Sequence, residues 1–380
     1  MPREDLRHMD KACHLITMYT NPSAHIWKSA YKIDPSILTF HQTLPNYTST
    51  PLHRLPQIAT DLALGNVLIK DESHRFGLPA YKILGASWTI YRTVIRELGL
   101  PSTASLEEIK AAAGGKRFEY YTATEGNWGR ALARMASMLG AKAHVYVLNA
   151  MLETTKSKIV HEGAEVVIVD GEYDDALKEA ERISREKRGL FIADVAWEWY
   201  QEIPQWVVDG YSTMMVEIDQ QTAELVGRRP DLVVCPVGAG SLAEAVVIHF
   251  KHVVPSSAVL TVEPVTAACL MTSLEAGKIA SISTKDTSMC GLNCGTVSFT
   301  AWPSLRDGID AHITVTDEEA KVAEETLKEM GILIGPCGAA TLAGLTKACK
   351  EGKDEVYLNR DSVVVLIGTE APRGAALDMA

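Results

Sequence analysis

Lys82 sits in residues 70–92, KDESHRFGLPAYKILGASWTIYR, where a charged cluster turns through Phe-Gly-Leu-Pro into an apolar helical pattern. The helix is predicted to open at about Ala80, with Pro79 at its first position, where a missing N–H costs nothing. Lys82 then falls in the first turn, the positive end of the macrodipole. Burial disfavours an ammonium as well. A lysine with its charge disfavoured twice is predicted to serve as an amine nucleophile near neutral pH. The competing reading is a lysine that snorkels to solvent from an amphipathic helix.

Four further stretches carry groups that can do chemistry. In DLVVCPVGAGSL, residues 231–242, an apolar strand ends in Gly238, Ala239, Gly240, Ser241 and Leu242. Glycines admit an anion close to the backbone, and the helix start adds N–H and O–H donors, which suits a phosphate. The turn lacks the Lys-Ser/Thr of a P-loop and the third glycine of a dinucleotide fingerprint. In TATEGNWGR, residues 122–130, Asn127 is a predicted N-cap that can also bond a ligand oxygen, and Glu125 can act as a base if shielded. Asp194 closes a predicted strand ahead of an aromatic group, Trp197, Trp199, Tyr200 and Trp206, that could wall a pocket. Thr369 ends the last apolar strand, where a hydroxyl suits a weakly basic ring nitrogen.

These residues need strand ends to present them, and the chain supplies such ends. Near-continuous apolar runs at 67–69, 118–122, 143–148, 164–169, 190–193, 231–236, 259–262, 313–315 and 363–367 alternate with helical patterns. That grammar predicts an α/β protein with parallel sheets covered by helices on both faces. The pattern at 204–225 reads as one helix, and Ser105 with Glu108 forms a capping box. Two lobes are expected: 1–95 and 231–380 build the larger, and 96–230 the smaller. The looser region 282–308 is a candidate substrate loop.

Composition excludes several classes. With 380 residues, 47% hydrophobic and 22% charged, the chain reads as an ordinary soluble protein. Its net charge of -11 argues against nucleic acid or an anionic membrane as partner. Seven cysteines, at 13, 235, 269, 290, 294, 337 and 349, fit reduced thiols better than a disulfide framework. Cys290 and Cys294 could be half a zinc site, but no second ligand pair of suitable spacing follows, so no metal is expected. No apolar signal core or membrane-length run is present, and a cytoplasmic protein is expected.

A reactive lysine, a phosphate turn, an Asn for a phenolate-like oxygen and a hydroxyl for a ring nitrogen together fit pyridoxal 5'-phosphate held as a lysine Schiff base. In this order the residues resemble the fold-type II (tryptophan synthase β-like) pyridoxal-phosphate enzymes, and within them the diaminopropionate ammonia-lyases. The resemblance spans residues 30–372 and rests on KDESHRFGLPAYKILGAS, TATEGNWGRALA, DVAWEWYQEIPQW, PVGAGSLAEAV, TSMCGLNCG and IGTEAPRG. It implies that Lys82 bonds the cofactor, Asn127 faces its O3′ and 238–242 hold its phosphate. It further implies that Thr369 meets the pyridine nitrogen and Asp194 is a catalytic base. A homodimer acting on a small amino acid is implied too. The chain departs from the family's pattern at Glu125 (Asp there), Trp128 (His there), 334–338 (IGPCG for SGESG) and 369–372 (TEAP for a TEG ending). The expected reaction is α,β-elimination from a β-substituted amino acid such as 2,3-diaminopropionate, by Lys82, Asp194 and Glu125. The alternatives are a racemase or epimerase, a serine/threonine-type dehydratase, and a non-catalytic cofactor-binding protein.

Overall fold

A computed structural model describes residues 18–124, 126–171, 173–252 and 257–372. The strands are β1 (Met18–Thr20), β2 (Leu52–Arg54), β3 (Asn66–Asp71), β4 (Glu119–Ala123), β5 (Lys142–Leu148) and β6 (Glu165–Val169). They continue with β7 (Leu190–Phe191), β8 (Leu232–Pro236), β9 (Ala258–Pro264), β10 (Ala311–Val315) and β11 (Val363–Gly368). Seven form one sheet in the order β1-β10-β9-β8-β11-β3-β2, and four form a second in the order β6-β5-β4-β7. The larger sheet is parallel except at its edges, where β1 and β2 pair antiparallel. The smaller is wholly parallel.

The apolar runs have a simple cause. Along β11, Val363, Val365 and Ile367 enter one core, while Val364 and Leu366 enter the core on the opposite face. A strand buried on both sides leaves no polar position to alternate with. The first core continues through Tyr120, Val145 and Val147 of the smaller sheet, so it joins the two sheets.

Two helices are tightly crossed beneath the site. A Cβ on Gly85 would lie 2.7 Å from the Tyr211 ring, and one on Gly210 would lie 2.5 Å from the Leu84 carbonyl oxygen. At this crossing the helix expected over 204–225 divides into Glu202–Gly210 and Ser212–Val226. The Tyr211 N–H bonds Val208 O at 3.1 Å, a tighter turn than the α-helical one. The other departure is at the lysine: the helix runs Lys82–Leu98, opening two residues after Ala80. Residues 79–81 are instead paired with the end of β11 through an Ala80–Glu370 bridge, an Ala371 N–H to Pro79 O bond of 2.9 Å and a Tyr81 N–H to Thr369 O bond of 3.4 Å. Ser105 and Glu108 do form the capping box.

The loop between β3 and Lys82 is held by a buried ionic cluster. Arg75 donates to Glu72 and Glu217, and Lys70 Nζ donates to Glu217 at 2.7 Å and to Thr50 O at 2.7 Å. All four charged side chains are buried. Burial alone would raise the Glu217 carboxyl, but Arg75 and Lys70 hold it below its ordinary value. Breaking such a cluster from one side costs about 3–5 kcal/mol.

A second buried acidic pair gives the stability a pH dependence. Burial pushes Glu244 up to about 8, against the Thr300 hydroxyl that donates to it and with a push from Asp209. Burial also raises Asp209 to about 6, opposed by hydrogen bonds from Tyr31 and Gln205. The folded protein therefore holds these protons at pH values where the unfolded chain has released them. The contribution of these two groups to stability falls as pH rises from the ordinary carboxyl range through about 6 for Asp209 and about 8 for Glu244, then levels off. His41, held neutral by burial and lowered to about 3, contributes in the opposite direction below its ordinary value. Glu244→Gln removes the larger contribution, so its melting temperature is expected to decline less between pH 5 and pH 9 than the parent's. Parallel scanning-calorimetry profiles would refute the buried-acid assignment.

Candidate active site

Each predicted site residue within the described range lies just beyond the carboxyl end of a parallel strand, except Lys82, which comes after a longer loop from β3 and is brought beside the end of β11 by the Ala80–Glu370 bridge. Lys82 follows β3, Asn127 follows β4, Asp194 follows β7, Gly238 follows β8 and Thr369 follows β11. In α/β sheets that edge is where ligands bind. Glu125 falls outside the described residues.

Contacts join these ends. Lys82 Nζ donates to Asp194 Oδ2 at 2.6 Å, with 25% and 11% of the two side chains exposed. Ser241 Oγ donates to the Asp194 carbonyl at 2.7 Å, tying the glycine turn to the same residue. Tyr200, whose hydroxyl donates to Phe191 O and accepts from Ala193 N–H, braces the strand end that presents Asp194. The segment 282–308 closes over the turn: Ser298 N–H donates to Ala239 O at 2.7 Å, and Ser298 Oγ accepts from Ala196 N–H at 2.9 Å.

The ion pair corrects the expectation for Lys82. Burial does push its ammonium down, but the Asp194 carboxylate more than offsets this and holds it well above its ordinary value. The Lys82 amine is therefore controlled by its partner rather than by the helix dipole. Tyr81 and Tyr211 complete its surroundings. Nζ lies 5.5 Å from the centre of the Tyr81 ring, and the two tyrosine rings are 4.9 Å apart.

Asn127 is also placed differently. Gly126 is the N-cap, with φ 153°, and Asn127 is the first helical residue of Asn127–Met138. Its Nδ2 donates to Glu370 Oε2 at 2.8 Å. The aromatic residues after Asp194 do not form one wall: Trp199 is 76% exposed, and Trp206 is buried beneath Arg92 and Arg96. Trp128 points into the core and donates to Thr122 Oγ1 at 2.9 Å.

These residues fit pyridoxal phosphate. The helix Ser241–Phe250 opens at Gly240, φ 103°, with no side chain capping it. Its first N–H groups, which no turn of helix can satisfy, are thus available to a phosphate. Thr369 Oγ1 is buried and has no hydrogen-bond partner among the described residues, which suits a ring nitrogen. Gly338 leaves that threonine its place, since a Cβ there would lie 2.7 Å from Thr369 N. Lys82 supplies the amine. Glu370, buried beside Thr369 with Oε1 unpartnered among the described residues, was not picked out from the sequence. The only local signal was an acidic residue directly after a buried strand.

With this fold and these groups, the chain belongs to the pyridoxal-phosphate dependent enzymes, whose family model matches residues 43–369. It is 33% identical to the diaminopropionate ammonia-lyase of Salmonella typhimurium over 341 residues, 87% of this chain and 80% of the relative. The crystal structure of the Escherichia coli diaminopropionate ammonia lyase in complex with D-serine superposes with a TM-score of 0.86 at 29% identity, covering 95% of this chain and 94% of that one. The same enzyme with an aminoacrylate-PLP azomethine reaction intermediate gives 0.83 at 28% identity over 95% and 94%.

Proposed function

We propose that the protein catalyses α,β-elimination from 2,3-diaminopropionate, in which one water is consumed and pyruvate and two ammonia molecules are released. The observation that carries this is the Lys82–Asp194 pair at the strand ends, in a chain that covers most of the length of diaminopropionate ammonia-lyases. Lys82, Asn127, the turn 238–242 and Thr369 would hold pyridoxal phosphate, which when bound draws electrons from the substrate's α-carbon and makes its C–H acidic.

The chain's own groups then move protons. Lys82 Nζ and Asp194 Oδ2 act as one unit, the carboxylate holding the amine in place and sharing the proton it takes from the α-carbon. A β-amine leaves only once protonated, so the same unit returns a proton at the β-nitrogen. Glu125 is proposed as the second carboxylate from its place in the TATEGNWGR motif. The loop 282–308, bonded to the glycine turn and to Ala196, shields these transfers from water. A homodimer is proposed on the resemblance to the family, and a cytoplasmic location on the scattered cysteines, which fit reduced thiols. Among the described residues, no helix is long and apolar enough to cross a membrane.

Supplying α-deuterated diaminopropionate tests the reaction. Pyruvate is expected to form with ammonia, faster than from serine. Rapid solvent exchange at the α-carbon with inversion and no pyruvate would replace the lyase by a racemase. Pyruvate from serine alone would overturn the substrate.

A further inference from the structure

Glu370 is bound into the site more tightly than a surface acid would be. It is 6% exposed, its backbone oxygen accepts the Gly335 N–H at 2.8 Å, and it pairs with Ala80 two residues before Lys82. One carboxylate oxygen accepts from Asn127 Nδ2 at 2.8 Å across 243 residues of sequence. The other is buried with no hydrogen-bond partner among the described residues.

A carboxylate only accepts hydrogen bonds, so it can meet only the nitrogen of the Asn127 amide. That single contact fixes which edge of the amide faces which way. Among the described residues no hydrogen bond is made by the second N–H or the Oδ1 of Asn127, and both can meet a ligand. A buried negative charge beside that amide also favours any nearby proton over its loss.

We propose that Glu370 is a positioning residue that sets the rotation of the Asn127 amide and, through its charge, the protonation of the pyridoxal group held there. This rests on the reading of Asn127 as a cofactor ligand. Other charged or titratable groups around it are Lys82 and Asp194 across the site, Cys337 beside Gly291, and Glu324 with Lys328 on the helix Asp317–Glu329. Lys82 and Asp194 are bonded to each other, while the Asn127 amide nitrogen donates to Glu370.

The experiment is a pH titration of the visible absorption band of protein loaded with pyridoxal phosphate, with cofactor affinity measured alongside. Glu370→Gln keeps the size and removes the charge, so the transition is expected to move to lower pH by about one unit, the size expected from losing one nearby opposite charge. Glu370→Asp, which keeps the charge, is expected to stay near the parent. Glu370→Ala takes the place of the glutamine variant should that one not fold. Asn127→Ala separates the two readings. A Glu370→Gln titration that superimposes on the parent's, while Asn127→Ala shifts it, overturns the role of Glu370 and leaves Asn127 standing. Titrations and affinities unchanged in both variants overturn the Asn127 reading and this inference with it.

Discussion

Lys82→Ala is expected to lower the rate of pyruvate release by about 10³-fold or more, within the range that a positioned proton-transfer group commands. The visible band of the loaded protein should vanish with it. Borohydride reduction of the parent should fix the cofactor to the peptide that contains Lys82. The geometry gives the reason. The helix starts at Lys82 because residues 79–81 are bonded to 369–371, so the amine is fixed relative to Thr369 and to Asp194 at once. The variant also leaves the Asp194 carboxylate, 11% exposed, without its cation. Stability should fall by about 1–3 kcal/mol, the cost of a buried acceptor left unpaired. A coloured, active alanine variant, or label on another lysine, would remove Lys82 from the site.

The sequence carried most of the framework and little of the wiring. Strand β11 was legible because burial on both faces makes it apolar without interruption, and the capping box at Ser105 was legible because its two bonds are local. The start of the Lys82 helix was misplaced because what stops it, the pairing with 369–371, lies almost 300 residues away in the chain and leaves no local mark. The break at Tyr211 has the same character, since it answers to a crossing with Leu84 and Gly85. Reading the Lys82 charge from its own helix gave the wrong sign, because the deciding carboxylate is 112 residues away. Asn127 was found, but its partner Glu370 was not: strand-end position predicts that a residue reaches the site, not whom it meets there.

Asp194→Asn separates the amine from its control while sparing the frame. The Ser241 hydroxyl bonds the backbone carbonyl of residue 194, which asparagine keeps, so the glycine turn and cofactor binding should be retained. What is lost is the carboxylate at 2.6 Å from Nζ. Burial of Lys82 is then opposed only by the smaller effects of Tyr81 and Tyr211, and the pH at which its amine gives up a proton falls. The proton taken at the α-carbon has no charged group beside the amine to share it, and none to pass it on to the departing β-nitrogen. Pyruvate formation is therefore expected to drop by about 10²–10⁴-fold, the span of general acid–base contributions. Asp194 follows β7, whereas Glu125 belongs to the TATEGNWGR segment. On the proposal that the two approach the substrate from different faces, the loss should fall unequally on the D and L forms of diaminopropionate, with Glu125→Gln showing the opposite preference. Rates for both enantiomers, measured at saturating substrate together with the absorbance of bound cofactor, decide it. Equal losses on the two enantiomers would mean that one base serves both faces, and a colourless Asp194→Asn protein would make Asp194 a cofactor ligand instead of a proton carrier.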